Sequence, residues 1–442
     1  MLGRSGSICA LGLAALLALA WPARAGTLDT PDNLAQEKLA LRLLASQPVR
    51  QSMQRLEQTY RADPQGRTEG GAAAIRRGVD SIAMAAAQYA LAEDGQHPLL
   101  MWACNAPHQW HGLDLPRSGY GIDNPDNVYR WVGIDGTSRY EITGRVRRPG
   151  PAQQTFIVYG EIPGTGAMNN ESAPVVAVLR DDQMTIAADG SFKITIDPDP
   201  ANGRPNHIQT NPTAMHMVVR DSFSDWATQN VVELAISRVG GPAAAPPRAE
   251  PALARRAAEL LDQIGPYWVA YDNEFVFSKP VNQVRPPRAR PGAFGFSSGG
   301  HYSLAEDEAL VITLDPIGAG YLGFQTTDAW GVAWDYAGHS SSLNNRQANT
   351  NADGTITYVL ARRDPGAANW LDVEGSANGM FAIRWQALPA DAATDRAVRG
   401  ARVVKLADLK SVLPPETKFL SAAERADWLR QRLASYRRRL ES

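Results

Sequence analysis

Apolar residues recur at steps of three and four positions between Pro31 and Glu93, which is the spacing of an amphipathic helix. Leu39, Leu43 and Leu44 carry this pattern first, and a second run mixes apolar and small residues from Ala72 to Leu91. The sequence DPQG at 63–66 lies between the two runs and is typical of a turn. The pattern predicts two helices that form an antiparallel pair and pack on the following segment.

After Tyr120 the pattern changes to short runs rich in Val, Ile, Thr and aromatic residues, which are typical of β-strands. Turn sequences separate these runs, and such frequent short strands favour a sandwich or a barrel over a parallel sheet. A second β-rich block extends from Leu310 to Leu388. The loop at 281–300 before it contains too much Pro and Gly to be regular. The runs in the first block are Tyr140–Val146, Thr155–Tyr159, Val175–Leu179, Phe192–Ile196, Met215–Arg220 and Val231–Val239.

The segment GGPAAAPPRAEP at 240–251 predicts an extended, semi-rigid linker between the two blocks. A helix is predicted from Ala252 to Ile264, where Gly265-Pro266 would end it. Near the C-terminus, a capping box at 421–424 begins a basic helix that extends to about Leu440. We interpret the arginines at 437–439 as a solvated helix end.

These elements predict an α+β, mainly β fold. Two tandem β-sandwich or jelly-roll-like modules follow an N-terminal helical segment, and a C-terminal helix closes the chain. The predicted division is a signal peptide at 1–25, the helical segment at 26–115, the first β module at 116–240, the Pro/Ala linker and helix at 241–265, the second β module at 266–390 and the helical tail at 391–442.

The first 25 residues have the three parts of a secretory signal: an early Arg4, an apolar run from Ile8 to Trp21, and the small-residue site Ala23-Arg24-Ala25. We therefore expect cleavage after Ala25 and a periplasmic or secreted product. The apolar run is too short to span a membrane, and no later stretch reaches the roughly 20 apolar residues that a transmembrane helix needs.

Cleavage would remove two of the 44 basic residues and none of the 46 acidic ones, which leaves a net charge of about −4. This charge argues against a nucleic-acid partner, because such proteins carry a strongly basic face. Of the two cysteines only Cys104 would remain, so no intramolecular disulfide is expected. Cys104 is predicted to be a small buried side chain.

One pattern occurs twice. The first copy contains Asp189-Gly190-Ser191, Asn206 and a strand that ends at Arg220; the second contains Asp353-Gly354-Thr355, Asn369 and a strand that ends at Arg384. The spacing from Asp to Asn is 17 and 16 residues, and the spacing from Asn to Arg is 14 and 15. This agreement predicts a duplicated β module. The Asn and Arg either brace loops of the module, or the Arg directs its guanidinium into a shared cleft.

These repeated motifs, together with DNPDNVYRWVGIDGTSRYEITGRV upstream, resemble the bacterial family called domain of unknown function 1214. The resemblance covers roughly residues 120–390. It implies β-sandwich or jelly-roll-like modules after an N-terminal helical part, and it implies no established activity. It also marks Asn124, Asp126, Asn127 and Tyr129 as motif positions without a role. The first copy departs from the usual Asn-Trp pair, because His207 stands where the second copy has Trp370.

The segment at 101–131 is the first place where chemistry is expected. His108, His111 and Asp114 follow one another at three-residue steps, so on a helix they would share a face and could bind a divalent metal. The alternative is a hydrogen-bonded structural pair of histidines, because no fourth ligand is evident. The two histidines are also weak catalytic candidates, and no cofactor is predicted.

Aromatic residues beside Asn, Asp and Arg favour a cleft for a sugar or a ring, since flat apolar faces stack and bidentate groups bind hydroxyls. The alternative is that these aromatic side chains fill the seam between the helices and the first sheet. The candidate ligand-binding residues are Trp110, Asn127, Tyr129, Arg130, Arg220, Trp334, Asn369, Trp370 and Arg384.

Two further groups of residues could carry chemistry. Arg285, Arg288 and Arg290 lie on the Pro-rich loop and could gate an anionic ligand, although such residues more often keep a loop soluble. Asp335 and His339 could act as a base and an acid.

The sequence contains no nucleophile elbow, phosphate loop, His-Glu-x-x-His, Cys-x-x-Cys or dinucleotide motif. It therefore favours an exported protein that binds an envelope glycan or a small hydrophobic or aromatic ligand. One alternative is a periplasmic hydrolase or lyase that acts on a glycan or related substrate where the modules meet. Another is a purely structural component of the envelope.

Overall fold

The structure is a computed structural model and describes residues 27–169 and 173–441. The predicted signal peptide lies outside these residues. Within the described part of the chain, no helix is both long and apolar enough to cross a membrane.

Three helices precede the first sheet: α1 at Pro31–Ala45, α2 at Gln47–Ala62 and α3 at Glu69–Ala92. The prediction of a single helix before the 63–66 turn was wrong, because the chain breaks at Ser46, whose ψ is 150°. Pro48 follows two residues later, and a proline near the start of a helix fits the beginning of α2.

The fourth helix, α4 at Glu250–Asp272, packs against α2 and α3 to form a bundle. Its predicted end at Gly265-Pro266 was wrong, since the helix continues for six residues beyond Pro266. A proline inside a helix costs about 3 kcal/mol, and the burial of Leu260, Leu261 and Ile264 in the bundle offsets this cost. Gly265 permits the contact with α2, because a Cβ there would lie 2.6 Å from Leu56 Cδ1.

The first β module contains two sheets, and the small hairpin β2–β3 precedes them. The five-stranded sheet has the order β1-β4-β10-β6-β7 and the four-stranded sheet has the order β11-β5-β8-β9. The strands are β1 Met101–Ala103, β2 His108–Trp110, β3 Leu113–Leu115, β4 Asn127–Gly133, β5 Arg139–Arg145, β6 Gln153–Tyr159, β7 Val175–Arg180, β8 Ser191–Asp197, β9 His207–Gln209, β10 His216–Ser222 and β11 Glu233–Gly240.

The second β module repeats this arrangement, with the orders β12-β13-β19-β15-β16 and β18-β17-β14-β20. A short helix α5 at Leu409–Val412 and the long helix α6 at Ala422–Glu441 follow it. The loop predicted at 281–300 ends earlier than expected, because β13 begins at Phe296. The strands are β12 Arg288–Ala289, β13 Phe296–Ser303, β14 Glu308–Leu314, β15 Tyr321–Thr327, β16 Ser342–Asn344, β17 Ile356–Ala361, β18 Trp370–Asp372, β19 Asn378–Gln386 and β20 Val398–Lys405.

The fold is therefore mainly β, with sandwich-like sheets, N-terminal helices and a C-terminal helix, as the sequence predicts. In each module the inner faces of the two sheets enclose an apolar core. Val132 and Val219 point into the first core, whereas Trp131 and Val218 lie on the opposite face and pack against the helices. Strand β4 is buried along its whole length because both of its faces are covered.

The two modules share their strand order and also the hydrogen bonds of the repeated motif. Asn206 accepts the N–H of Thr185 and donates to the carbonyl oxygens of Thr185 and Lys193. Asn369 makes the same three bonds with Asn349 and Thr357. In both copies a parallel strand pair, β8–β9 or β17–β18, leads from this Asn. The repeated Asn thus braces each module, and these features are compatible with a duplication.

The modules meet at the DNPDN motif, residues 123–127. The Asp126 carboxylate accepts hydrogen bonds from Trp226 Nε1 at 2.7 Å, from Asn344 Nδ2 at 2.8 Å and from the Tyr321 hydroxyl at 2.9 Å. The Asn124 side chain donates to the same hydroxyl at 2.8 Å. Tyr321 and Asn344 belong to the second module, so this motif joins the two modules through buried polar contacts.

The C-terminal helix is also bound tightly, so our interpretation of its arginines as solvated was wrong for two of the three. Arg437 is exposed, but Arg438 donates to the Gln229 carbonyl oxygen at 2.8 Å. Arg439 is buried over the ring of Trp226, at 4.2 Å, and donates to the Pro125 carbonyl oxygen. Because residues seven apart share a helix face, Arg432 packs on the same Trp226 ring at 4.3 Å.

We predict that Asn206→Ala and Asn369→Ala lower the free energy of unfolding by similar amounts, about 1–3 kcal/mol each. Each substitution leaves the equivalent backbone groups of its own module, one N–H and two carbonyl oxygens, without these hydrogen bonds. Urea unfolding followed by circular dichroism measures the effect, with the exposed Gln54→Ala as a control. A loss in only one of the two variants would contradict an equal bracing role for the two Asn residues.

Candidate functional site

A cavity of about 170 Å³ lies where the helical bundle, the first module and the loop before β13 meet, with one residue contributed by the second module. Its walls are aromatic, and four charged side chains reach it. The aromatic residues are Tyr89, Tyr120, Tyr129, Trp131, Tyr159, Trp268 and Phe294, and the charged residues are Asp123, Arg220, Arg290 and Arg384.

The aromatic walls are fixed by contacts among themselves. Tyr89 on α3 stacks on Trp131 of β4 with ring centroids 3.8 Å apart, and the Tyr120 hydroxyl donates to the Tyr89 hydroxyl at 2.7 Å. Trp268 on α4 meets Tyr120 edge to face at 5.8 Å. Gly121 allows this approach, because a Cβ there would lie 2.9 Å from the Trp268 ring. The aromatic surface is therefore built in advance of any ligand.

Arg220 reaches the cavity because side chains alternate along β10. It points to the helix-facing side with Val218, while Val219 points into the sandwich. Its Nη2 donates to the Tyr159 hydroxyl at 3.3 Å, and its Nη1 is buried without a hydrogen-bond partner. The guanidinium also lies 5.5 Å from the centre of the Tyr129 ring. Among the described residues, the Nη1 donor of this group is therefore unused.

Arg384 occupies the matching position in the second module. It lies on β19 next to Ile383, which points into the second core, so Arg384 faces outward toward the first module. It donates to the Gln325 side-chain oxygen and to the Ile122 carbonyl oxygen. The two repeated arginines consequently line the same cavity.

Arg290 enters the cavity from the loop before β13. Its guanidinium lies 4.1 Å from the centre of the Phe294 ring. Burial lowers the pKa of Arg290 to about 9, and the neighbouring charges of Arg220 and Arg384 contribute to this shift. Arg290 therefore remains charged at neutral pH.

Asp123 is the carboxyl group of the cavity. It is 6% exposed, and its Oδ1 has no hydrogen-bond partner in the part of the chain that the structure describes. Burial raises the pKa of Asp123 to about 7, although the charges of Arg117 and Arg384 oppose this shift. The neutral form of this carboxyl group is therefore favoured compared with an exposed Asp, and the group opposes at most one of the positive charges around it.

Two other titratable groups lie at or behind the wall. Cys104 is buried, and burial raises the pKa of its thiol well above the usual value, which disfavours the nucleophilic thiolate. His216 lies behind Tyr89 and Trp131, at 5.2 and 6.1 Å between ring centroids. Burial and the Arg220 charge lower the pKa of His216 to about 3, so the imidazole is neutral.

Of the ligand-binding candidates from the sequence, three lie at this cavity: Tyr129, Arg220 and Arg384. Arg130 points away from it and pairs with Asp221 at 2.8 Å inside the sandwich. Asn127 accepts a hydrogen bond from Asn124.

The remaining ligand-binding candidates have structural contacts elsewhere. Asn369 braces the second module, and Trp370 donates from Nε1 to the Ala361 carbonyl oxygen at 3.0 Å. Trp334 lies under the Arg77 guanidinium at 4.5 Å. Trp110 donates to Glu37 at 2.8 Å, at the seam with α1. The structure does not bring these four side chains together.

The candidate metal residues lie on the β2–β3 hairpin and not on a helix, so the three-residue spacing does not place them on one face. His108 is buried near Glu37, His111 contacts Asp29 at 2.6 Å, and Asp114 is exposed. In the described residues, no group of three His, Cys, Asp or Glu side chains could hold a metal ion.

Asp335 and His339 lie in turns between β15 and β16, and they do not form a pair. His339 Nδ1 contacts Asp372 at 2.8 Å, and this hydrogen bond raises the pKa of His339. The Asp335 carboxylate accepts the N–H groups of Ala337 and Gly338.

Sequence reasoning missed Asp123 and most of the aromatic wall as site residues. Tyr89 and Trp268 belong to helices that only the tertiary fold brings beside β4, so spacing gave no signal for them. Asp123 begins the DNPDN motif, in which Asn127 was the ligand-binding candidate and Asn124 and Asp126 were noted as motif positions. Arg290 was noted as one of three loop arginines, whereas Arg285 of that group donates to the Phe275 carbonyl oxygen.

Comparison with solved structures finds chains of similar fold. An uncharacterized protein from Burkholderia cenocepacia is 26% identical, with a TM-score of 0.64, and the match covers 83% of this chain and 99% of that chain. The VPA0106 protein from Vibrio parahaemolyticus is 8% identical, with a TM-score of 0.39, and the match covers 64% of this chain and 90% of that one. A search of curated proteins found no match.

Residues 131–221 match the family model described as "Protein of unknown function (DUF1214)". The matched segment begins at Trp131 in β4 and ends just after Arg220 in β10, so it includes part of the cavity wall. The comparison therefore confirms, for residues 131–221, the resemblance to domain of unknown function 1214 that the sequence motifs predicted.

Proposed function

We propose that this protein is exported and that it binds a small aromatic or hydrophobic molecule in the cavity between the helices and the β modules. The observation that carries the proposal is the aromatic wall of a cavity of about 170 Å³. Aromatic rings favour stacked and edge-to-face partners, and the wall offers both orientations to a planar ligand. A glycan chain would need an extended groove, so the small volume favours the small-molecule alternative.

A lyase is the second candidate, and one observation favours it. Asp123 places a buried carboxyl group in the cavity, and its pKa of about 7 suits a group that takes up and releases a proton near neutral pH. The neutral His216 lies behind the wall and does not line the cavity. Loss of turnover with retained binding in Asp123→Asn would support this candidate.

We predict that small aromatic compounds raise the melting temperature of the protein, because a ligand that binds only the folded state stabilises it. The panel comprises benzoate, phenylacetate and 3-phenylpropionate with their three amides, together with indole and p-cresol. Trp268→Ala removes one wall and should weaken binding by about 2- to 10-fold, since an aromatic pair contributes about 0.5–1.5 kcal/mol.

Titration of the purified protein by calorimetry measures these affinities. Trp428→Phe is the matched control, because Trp428 lies on α6 outside the cavity. If no compound of the panel binds, or if the two variants bind equally well, the proposed site is wrong.

We also predict that Asp123→Asn changes the pH dependence of stability. The pKa of Asp123 is about 7 in the folded protein and about 3.8 in an unfolded chain, so the folded state holds the extra proton between these values. Stability from this group is therefore highest below about pH 4 and decreases as the pH rises to about 7, by up to about 4 kcal/mol.

The Asn variant lacks this decrease, so it should gain stability relative to the natural protein between pH 4.5 and pH 8. Urea unfolding at both pH values measures the difference, and the exposed Asp395→Asn is the control. The same slope in the natural protein and in Asp123→Asn would contradict the prediction.

A further inference from the structure

The cavity holds more positive charge than its own carboxyl group can balance. Three guanidiniums reach it, from Arg220, Arg290 and Arg384, and only Asp123 opposes them. Within residues 27–169 and 173–441, none of the three arginines forms an ion pair with a carboxylate. The structure therefore collects unbalanced cationic groups in one small aromatic space.

Two fully buried arginines of this protein have carboxylate partners. Arg130 is 4% exposed and pairs with Asp221 at 2.8 Å; Arg425 is 5% exposed and pairs with Asp364 at 3.0 Å. A buried charge without a partner is costly, which explains why these two have carboxylate neighbours. Among the described residues, the cavity arginines have no such carboxylate neighbours. An anion bound from outside would supply the missing negative charge.

Arg220 also offers an unused donor. Its Nη1 is buried and has no hydrogen-bond partner among the described residues, and a buried donor without a hydrogen bond costs free energy. A guanidinium presents its N–H groups in a planar fork that matches the two oxygens of a carboxylate. Arg384 brings a second guanidinium to the same space from the equivalent strand of the other module.

The size and the walls restrict the anion further. The ligand must fit about 170 Å³ and lie against aromatic rings, which suits one planar ring with a single acidic group. An inorganic anion would leave the aromatic surface unused, and a neutral ring would leave the arginines without a counter-charge.

We propose that the cavity binds a small aromatic carboxylate, whose carboxylate contacts Arg220 and Arg384 and whose ring lies between Tyr89, Tyr120, Tyr129 and Trp268. This inference rests on the proposed function and adds the charge of the ligand to it. It also gives the repeated arginine a role that needs both β modules, because each module supplies one guanidinium to a single ligand.

The test compares each acid of the panel with its amide, which has nearly the same shape without the charge. Calorimetric titration at low ionic strength should show that at least one of benzoate, phenylacetate and 3-phenylpropionate binds about 10- to 100-fold more tightly than its amide. This is the range expected for a charge-assisted contact. Sodium acetate and inorganic phosphate, which lack the ring, should bind at least tenfold more weakly than the best acid.

Arg220→Gln and Arg384→Gln should each weaken binding of the best acid by about tenfold or more and leave the affinity for its amide nearly unchanged. Arg437→Gln is the matched control, because Arg437 is exposed on α6. Arg384 also braces the Ile122 loop, so Arg384→Lys is included; it keeps the charge and should retain more of the acid affinity than Arg384→Gln.

The possible results are distinct. Equal affinity for acids and amides would overturn the charge assignment and leave the aromatic site in place. Phosphate binding as tight as that of the best acid would overturn the aromatic carboxylate assignment. If neither acids nor amides bind, the proposed function itself fails.

Discussion

The arrangement of this protein depends on a buried carboxylate at the junction of its two β modules. Asp126 accepts hydrogen bonds from Trp226 in the first module and from Tyr321 and Asn344 in the second. A buried carboxylate is tolerated only when its oxygens are satisfied, so the two modules must meet in one orientation for these bonds to form. This orientation carries Arg384 toward the wall of the first module, where the cavity lies.

The cavity follows from that orientation together with the alternation of side chains along strands. In both modules the five-stranded sheet has one face in the sandwich core and one face outside it, and the repeated arginine lies on the outer face. The helical bundle covers the outer face of the first sheet and supplies Tyr89 and Trp268. The equivalent arginines of the two modules, Arg220 and Arg384, thus line one cavity.

Arginine side chains also hold the C-terminal helix to the modules. Arg432 and Arg439 hold α6 to the modules through Trp226, and Arg425 pairs with Asp364, so these side chains stabilise the closed arrangement of the chain. Within the residues that the structure describes, the cavity arginines have polar neighbours but no carboxylate partners. Local departures from the usual pairing of buried charges are expected where a protein binds something, since such sites sacrifice stability for recognition.

The sequence by itself determined the class of fold, the β-rich modules and their repeated motif. The reason is that these features are local. Apolar residues recur every two positions in strands and every three to four positions in helices, and the Asp-Gly turns and the repeated Asn act over short distances along the chain. It also predicted Tyr129, Arg220 and Arg384 as ligand candidates. Local rules failed at Pro266, where packing against α2 and α3 keeps the helix intact, and at Arg439, which the fold buries over Trp226. Only the tertiary structure decided that residues 131, 220, 268, 290 and 384 share one cavity, because long-range packing between modules and helices sets these contacts and leaves no spacing signal in the chain.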